Sequence, residues 1–180
     1  MRWLSGSMPD VHDPTTRSRN MAAIRGRDTK PELQIRSGLH RLGYRFRVNR
    51  KDLPGKPDIV LSRFHAVIFV HGCFWHGHDC HLFRLPETRT EFWAAKIGAN
   101  QERDKVVRSA LLSEGWRIAT VWECALKGKS RIELKELLTR LTSWLRGDEL
   151  LLEIRCQDVK SMRASSMHPP EATEPDPSGR

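Results

Sequence analysis

The apolar positions along this chain change their spacing several times, and each change marks a predicted element. A helical repeat starts after Asp28 or Thr29, either of which suits an N-cap, with Pro31 in the first turn where a missing N–H costs little. Leu33, Leu39 and Leu42 are expected on its buried face, and Gly43 at its end. Tyr44 to Val48 then alternates, and Leu53-Pro54-Gly55-Lys56-Pro57 reads as a turn. Ile59 to Leu61 and Ala66 to Val70 are short, continuously apolar runs, as in strands covered on both faces. Glu91 to Glu114 returns to helical spacing, with Gly98 weakening its middle and Gly115 stopping it. Arg117 to Trp122 predicts another strand. A last amphipathic helix fits Arg131 to Leu145, with Leu134, Leu137, Leu138, Leu141 and Leu145 on its inner stripe. This order predicts one α/β domain, a mixed β-sheet flanked by helices.

The ends read differently. Residues 1–13 have the character of a flexible leader, with Met8 an alternative start, and Thr15 to Ile24 predicts a short basic helix with Arg17, Arg19 and Arg25 around Met21. Beyond Gly147 an apolar patch at Leu150 to Ile154 gives way to a Pro/Glu/Asp-rich stretch. The expected domain therefore spans 14–147, with 148–180 a disordered tail.

Charge follows the same division. The chain of 180 residues carries 31 Lys and Arg against 22 Asp and Glu, a net of +9. Residues 146–180 hold 5 basic and 7 acidic residues, so residues 1–145 hold 26 and 15, a net of +11. A solvated surface accounts for that excess as readily as a phosphate backbone does, so charge alone decides nothing. No stretch is apolar enough to cross a bilayer, and the first residues lack the apolar run of a secretory signal. The four cysteines, Cys73, Cys80, Cys124 and Cys156, are thus expected in a reducing, cytoplasmic setting, where clustered Cys and His more often mean metal than disulfide.

The chemistry concentrates in Val70–His81, where twelve residues hold four histidines, two cysteines and the adjacent pair Phe74-Trp75. Cys73, Cys80 and Cys124 with one histidine make a Cys₃His set suited to a structural zinc ion. His76, His78 and His81 all compete for the fourth place on residue type alone. Cys156, in the expected tail, is read as uninvolved. Asp58 follows Pro57 at a strand start and is placed to hold a hard cation such as Mg²⁺. Taken alone, a Pro-Asp pair is more often a turn cap, but His71 and His76 follow close by with side chains that exchange protons near neutrality. Glu32 and Asp104 are candidate supporting carboxylates. Phe74, Trp75 and Trp93, close to Arg89 and Lys96, can wedge between stacked bases, with Met21 a second wedge; covering the zinc site is the competing role for Phe74 and Trp75. Trp116, Trp122 and Trp144 follow core spacing.

Long blocks of the chain resemble the very short patch repair (Vsr) endonucleases: Asp10–Asp13, Arg17–Met21, Leu53–Asp58, Val67–His76, Thr88–Trp93, Lys96–Asn100 and Val121–Leu126. The resemblance runs from about Asp10 to Leu145. It implies a restriction-endonuclease-like core with a structural zinc site, and a Mg²⁺-dependent nick 5′ of the thymine in T·G mismatches left by deamination of 5-methylcytosine. Asp58 would bind magnesium, joined by the backbone carbonyl of Val70. His76 would be the general base, with His71 and Glu32 assisting and Asp104 orienting a histidine. Cys73, His78, Cys80 and Cys124 would hold zinc; Phe74, Trp75, Trp93 and Met21 would enter the duplex beside the mismatch, with Lys96 also at the DNA. The implied partners are double-stranded DNA with a T·G mismatch and the proteins of mismatch repair, the chain itself acting as a monomer. Val70 and Gly72 stand where the wider nuclease superfamily carries an acidic residue and a lysine, and Gly77 where some relatives carry histidine. Two other readings stay open: a zinc-stabilised mismatch-binding module without catalysis, and a restriction-type nuclease with another target.

Overall fold

The computed structural model describes residues 15–16 and 26–157. The leader, Arg17, Arg19, Met21 and the chain beyond Gln157 lie outside the described residues. Within residues 26–157, three helices and four strands follow in the order α1 (Lys30–Arg41), β1 (Ile59–Leu61), β2 (Ala66–His71), α2 (Thr90–Ser113), β3 (Arg117–Trp122), α3 (Leu134–Arg146) and β4 (Leu151–Ile154). The sheet is ordered β1-β2-β3-β4, antiparallel between β1 and β2 and parallel thereafter, so it is mixed as its sequence predicts.

Strands β1, β2 and β3 bury residues on both faces of the sheet. Ile59, Leu61, Ile68 and Val121 point to one side, against Ile35 and Leu39 of α1 and Leu137 and Leu141 of α3. Val60, Val67 and Ile118 point to the other, against Leu111 of α2. These side chains are fully or almost fully enclosed, and each contributes roughly 1.5–3 kcal/mol through burial. Side chains alternate along a strand, so Phe69, His71, Thr120 and Trp122 share the α2 face of the sheet. The active groups described below grow from the ends of those strands.

Three expectations differ from the structure. Leu33 and Leu42 are 51% and 55% exposed, because α1 buries Glu32, Ile35, Arg36 and Leu39 instead. That spacing is a helical stripe too, and the ion pair between Glu32 and Arg36 lets two charged residues occupy it. Tyr44 to Val48 contributes only an isolated bridge, Arg47 to Val60, rather than a strand. The third difference is at the expected tail: Leu151–Ile154 pair in parallel with Ile118–Val121, so the ordered sheet continues past residue 147. Four residues are too short for periodicity to separate an edge strand from a loose apolar patch. Gly98 does not interrupt α2, since its α-carbon faces open space and no neighbour demands a side chain.

Candidate active site and metal centre

Asp58 enters the site from the residue before β1. Its Oδ2 accepts the Val70 N–H at 2.7 Å, which ties the strand start of β1 to the end of β2. Burial raises the Asp58 carboxyl to about 6, with Glu32 adding to the rise and the Val70 bond and Arg36 opposing it. A carboxylate this poorly solvated has a deficit of positive charge around it, which is the environment a hard divalent cation completes. The residues present therefore fit a hard divalent cation at Asp58. Glu32 lies beneath, 3% exposed, with its oxygens taken by the N–H groups of Asp28 and Thr29, the Thr29 hydroxyl and Arg36. Arg36 also bonds Asp28 at 2.5 Å and the Asp58 carbonyl at 3.2 Å. Four filled acceptor sites leave Glu32 a structural anchor under Asp58.

His71 ends β2 and His76 returns from the following loop. Their rings stack with centroids 3.8 Å apart and planes 3° from parallel. Asp104 of α2 takes the N–H of His76 Nδ1 at 2.5 Å; a carboxylate only accepts, so the proton sits on Nδ1 and the Nε2 lone pair is left to act as a base. Burial, and secondarily His76, hold His71 down at about 3, so its imidazole is neutral at ordinary pH. The donor atoms of His71, His76 and Asp104 lie within 4.8 Å of one another. Stacked rings, however, aim their lone pairs along parallel planes, which do not converge on one ion. Such an arrangement can pass a proton along the His76 ring.

The loop is fastened to α2 at three successive points. Asn100 Nδ2 donates to the Trp75 carbonyl at 2.9 Å, Gln101 Nε2 to the His76 carbonyl at 3.1 Å, and Asp104 holds the His76 ring. Gly77 has φ of +60°, and a Cβ there would stand 2.6 Å from Gln101 Nε2 and 2.8 Å from Ile97. Glycine at this position is thus what lets the loop lie against the helix.

On the other side of the loop, Cys73, His78, Cys80 and Cys124 bring their donor atoms within 4.8 Å of one another. Thiolates about 2.3 Å from a tetrahedral zinc lie roughly 3.8 Å apart, so the set needs little adjustment. Each sulfur accepts one backbone N–H: Cys73 from Cys124 at 3.4 Å, Cys80 from Leu82 at 3.4 Å, Cys124 from Cys156 at 3.3 Å. The neighbouring Cys73 sulfur, then burial, pushes the Cys124 thiol far up, and burial raises Cys80. Crowded thiols that resist ionisation on their own are the counterpart of a missing cation. The four residues fit a thiolate-binding metal. The three competing histidines are separated by placement: His78 Nδ1 lies 3.6 Å from Cys124 Sγ, His76 is bonded to Asp104, and His81 packs against Gly128.

Phe74, Trp75 and Trp93 form one half-buried aromatic group, with centroids 5.1–6.1 Å apart. Lys96 Nζ stands over the rings of Trp75, Phe92 and Trp93 at 5.4, 5.9 and 5.7 Å. Phe92, 45% exposed and capped by Arg89 at 4.4 Å, extends the patch outward.

Two residues stand elsewhere than their sequence suggests. Trp122 is only half-buried and stacks on His78 at 4.0 Å, with its edge toward His71 at 5.4 Å. Cys156, 8% exposed, joins Cys73 and Cys124 in a small cluster instead of lying loose in a tail. Sequence reasoning also passed over Arg36, Asn100, Gln101 and Glu153. Arg36 one helical turn after Glu32 was a readable signal; the other three became visible only through long-range packing.

Residues 9–82 match the family described as DNA mismatch endonuclease Vsr. The DNA mismatch endonuclease Vsr of Escherichia coli (strain K12) is 49% identical over 152 residues, which cover 84% of this chain and 97% of that protein. This chain belongs to the Vsr family. The type II nicking enzyme V.XorIIP of Xanthomonas oryzae pv. oryzae is 48% identical over 128 residues, covering 71% of this chain and 94% of that enzyme. The nicking enzyme V.NmeAIP of Neisseria meningitidis is 43% identical over 134 residues, 74% and 94% of the two chains. Membership of the Vsr family carries the restriction-endonuclease-like fold, which agrees with the mixed sheet and its flanking helices. Among the described residues no helix is long and apolar enough to cross a membrane.

Proposed function

We propose that this Vsr-family chain is an endodeoxyribonuclease that nicks one strand of duplex DNA 5′ of the thymine in a T·G mismatch, using Mg²⁺ at Asp58 and structural zinc at the Cys₃His set. The observation that carries the reading is the Asp104–His76–His71 arrangement, which starts one residue after the Val70 N–H bonded to Asp58, since a module that only binds mismatches has no use for an oriented base. Names of the relatives support it: a DNA mismatch endonuclease and several type II nicking enzymes.

In this reading Asp58 and the carbonyl of Val70 would hold the magnesium, and the ion would supply Lewis-acid chemistry at the scissile phosphodiester. His76 Nε2 takes a proton from the attacking water while Asp104 steadies the resulting imidazolium. His71, kept neutral, lies against His76 and assists, and Glu32 assists from below by fixing the floor under Asp58. Phe74, Trp75 and Trp93 enter the base stack from one side and Met21 from the other, with Lys96 at the phosphates. Residues 14–147 form the nuclease domain in this reading, completed by the strand from Leu151 to Ile154. The chain works as a monomer in the cytoplasm, and proteins of mismatch repair are its further partners.

The test is nicking of hairpin duplexes that differ only in T·G against C·G at one site, with and without Mg²⁺. Cutting of the thymine strand in T·G alone, and only with Mg²⁺, is expected. Equal cutting of both duplexes would replace mismatch repair with a restriction-type activity; binding without cutting would leave a recognition module.

A further inference from the structure

Trp122 and Glu153 form a contact that neither the zinc set nor the histidine pair requires for itself. Trp122 closes β3 and is the Cα partner of His71 across the β2–β3 ladder. Its indole lies flat on His78, 4.0 Å away and 15° from parallel. The ring edge faces His71 at 5.4 Å and His76 at 6.4 Å, both at 72°. One side chain therefore touches a metal-set histidine and both members of the proton-transfer pair. The indole N–H goes to Glu153 Oε1 at 2.6 Å, a charge-assisted bond reaching across from β4. Glu153 stands opposite Thr120 in the β3–β4 register, so it shares the sheet face that carries Trp122 and His71. Together with Thr120, Gln101 and Arg108 these residues line a cleft of about 370 Å³ between α2 and the sheet.

The ordinary use of an exposed glutamate on an edge strand is to discourage pairing with other chains. Such a residue needs only to be charged, and it has no reason to meet an indole donor at short range. We propose that Glu153 is a positioning residue: it fixes the Trp122 ring, and the ring sets where His71 and His76 stand relative to the metal-bound loop. The stacking contacts fix the plane of the indole but leave it free to slide within that plane. A single directional hydrogen bond at Nε1 removes that freedom. β4 thus has a part in the site, although it lies past the expected domain end.

The inference rests on the reading of His71 and His76 as the proton-transfer pair, so the assay includes wild type and Asp58→Ala on the same T·G duplex. Active wild type and dead Asp58→Ala establish the nuclease; only then do the Glu153 variants bear on positioning. Glu153→Ala should lower kcat roughly tenfold, the scale of lost outer-shell support. KM for duplex, zinc content and Tm should stay at wild-type values. Glu153→Gln keeps an acceptor oxygen and should recover to within about twofold of wild type. Trp122→Phe keeps a ring on His78 without the N–H and should match Glu153→Ala. In ¹H–¹⁵N spectra of the intact protein, the Trp122 indole N–H should move upfield in Glu153→Ala and far less in Glu153→Gln. Wild-type kcat in Glu153→Ala overturns the proposal. So does a Gln variant as slow as Ala, an unmoved indole signal, or a loss of rate that tracks loss of zinc or of Tm.

Discussion

The two sides of the Val70–His81 loop are built on opposite plans. The metal set takes three of its four donors from eight consecutive residues, Cys73 to Cys80, and only Cys124 from another strand's end. Its sulfurs are held by backbone N–H groups, which side-chain substitution does not remove. The side proposed for proton transfer collects Asp58 from before β1, His71 from β2, His76 from the loop and Asp104 from α2, and side chains make most of its bonds. A metal can staple a loop locally; a base needs the whole fold to aim it. It follows that damage to the first side should appear in stability, and damage to the second in rate with stability nearly intact.

The largest effect expected from breaking this contrast is at Cys124. Cys124→Ser takes away the one distant ligand and leaves three donors on a loop no longer anchored to β3. Structural zinc contributes about 10–16 kcal/mol in small zinc peptides, so losing even a fraction should lower Tm by about 10 °C or more in a chain this long. Metal analysis and a melting curve check it. Unchanged zinc content and Tm would show that the four residues do not hold a structural ion.

Next in size is His76→Ala, expected to slow nicking by roughly a hundred- to ten-thousandfold while zinc content and Tm stay near wild type. Asp104→Asn keeps the shape but offers His76 a weaker partner, and about a ten- to hundredfold loss is expected. Single-turnover rates on a T·G duplex measure both. If either variant instead lost zinc and stability with its rate, the two sides of the loop would be one structural unit and the contrast would fail.

Smaller still is the effect at the aromatic group between them. Trp75→Ala should weaken T·G duplex binding by about 1–3 kcal/mol, the worth of one base–aromatic contact. Fluorescence anisotropy with labelled duplex reads it. Equal loss of affinity for a fully paired duplex would show that the ring supports the cluster of Phe74 and Trp93 and does not sense the mismatch.

How much of this was legible follows the same division. Three of the four metal-set residues are neighbours in sequence, so residue type alone nearly assembles the set; only the choice among His76, His78 and His81 depended on family resemblance. Asp104 was readable merely as a charge on a helix, because nothing local says that it lies under His76, 28 residues earlier. Helices and strands with long runs, such as α2 and β3, followed their periodicity. The misjudged pieces were those where polar groups behave like core. Glu32 and Arg36 neutralise each other and so displace Leu33 and Leu42 from the buried stripe. Glu153 sits on a four-residue edge strand too short to announce itself, and Cys156 follows two residues after that strand ends, so their links to Trp122 and Cys124 were out of sight.

The subtlest test of the contrast uses stability to report on the catalytic side. An ordinary aspartate titrates near 3.9, while burial raises folded Asp58 to about 6. Between those values the folded protein holds a proton that the unfolded chain has released, so stability falls as pH rises from about 4 and levels off above about 6. Without magnesium, ionised Asp58 is therefore a destabilising residue at pH 8. Asp58→Asn removes the charge and still offers an oxygen to the Val70 N–H. In magnesium-free buffer without chelator, so that zinc stays bound, the variant should melt above wild type at pH 8, and the gap should close toward pH 4. Adding Mg²⁺ at pH 8 should raise the Tm of wild type and leave the variant where it was, since only wild type offers the ion a carboxylate. A variant no more stable than wild type at pH 8, or a gap that widens on acidification, would mean that Asp58 is held in its charged form by partners in the fold itself, and that the magnesium assignment has lost its physical basis.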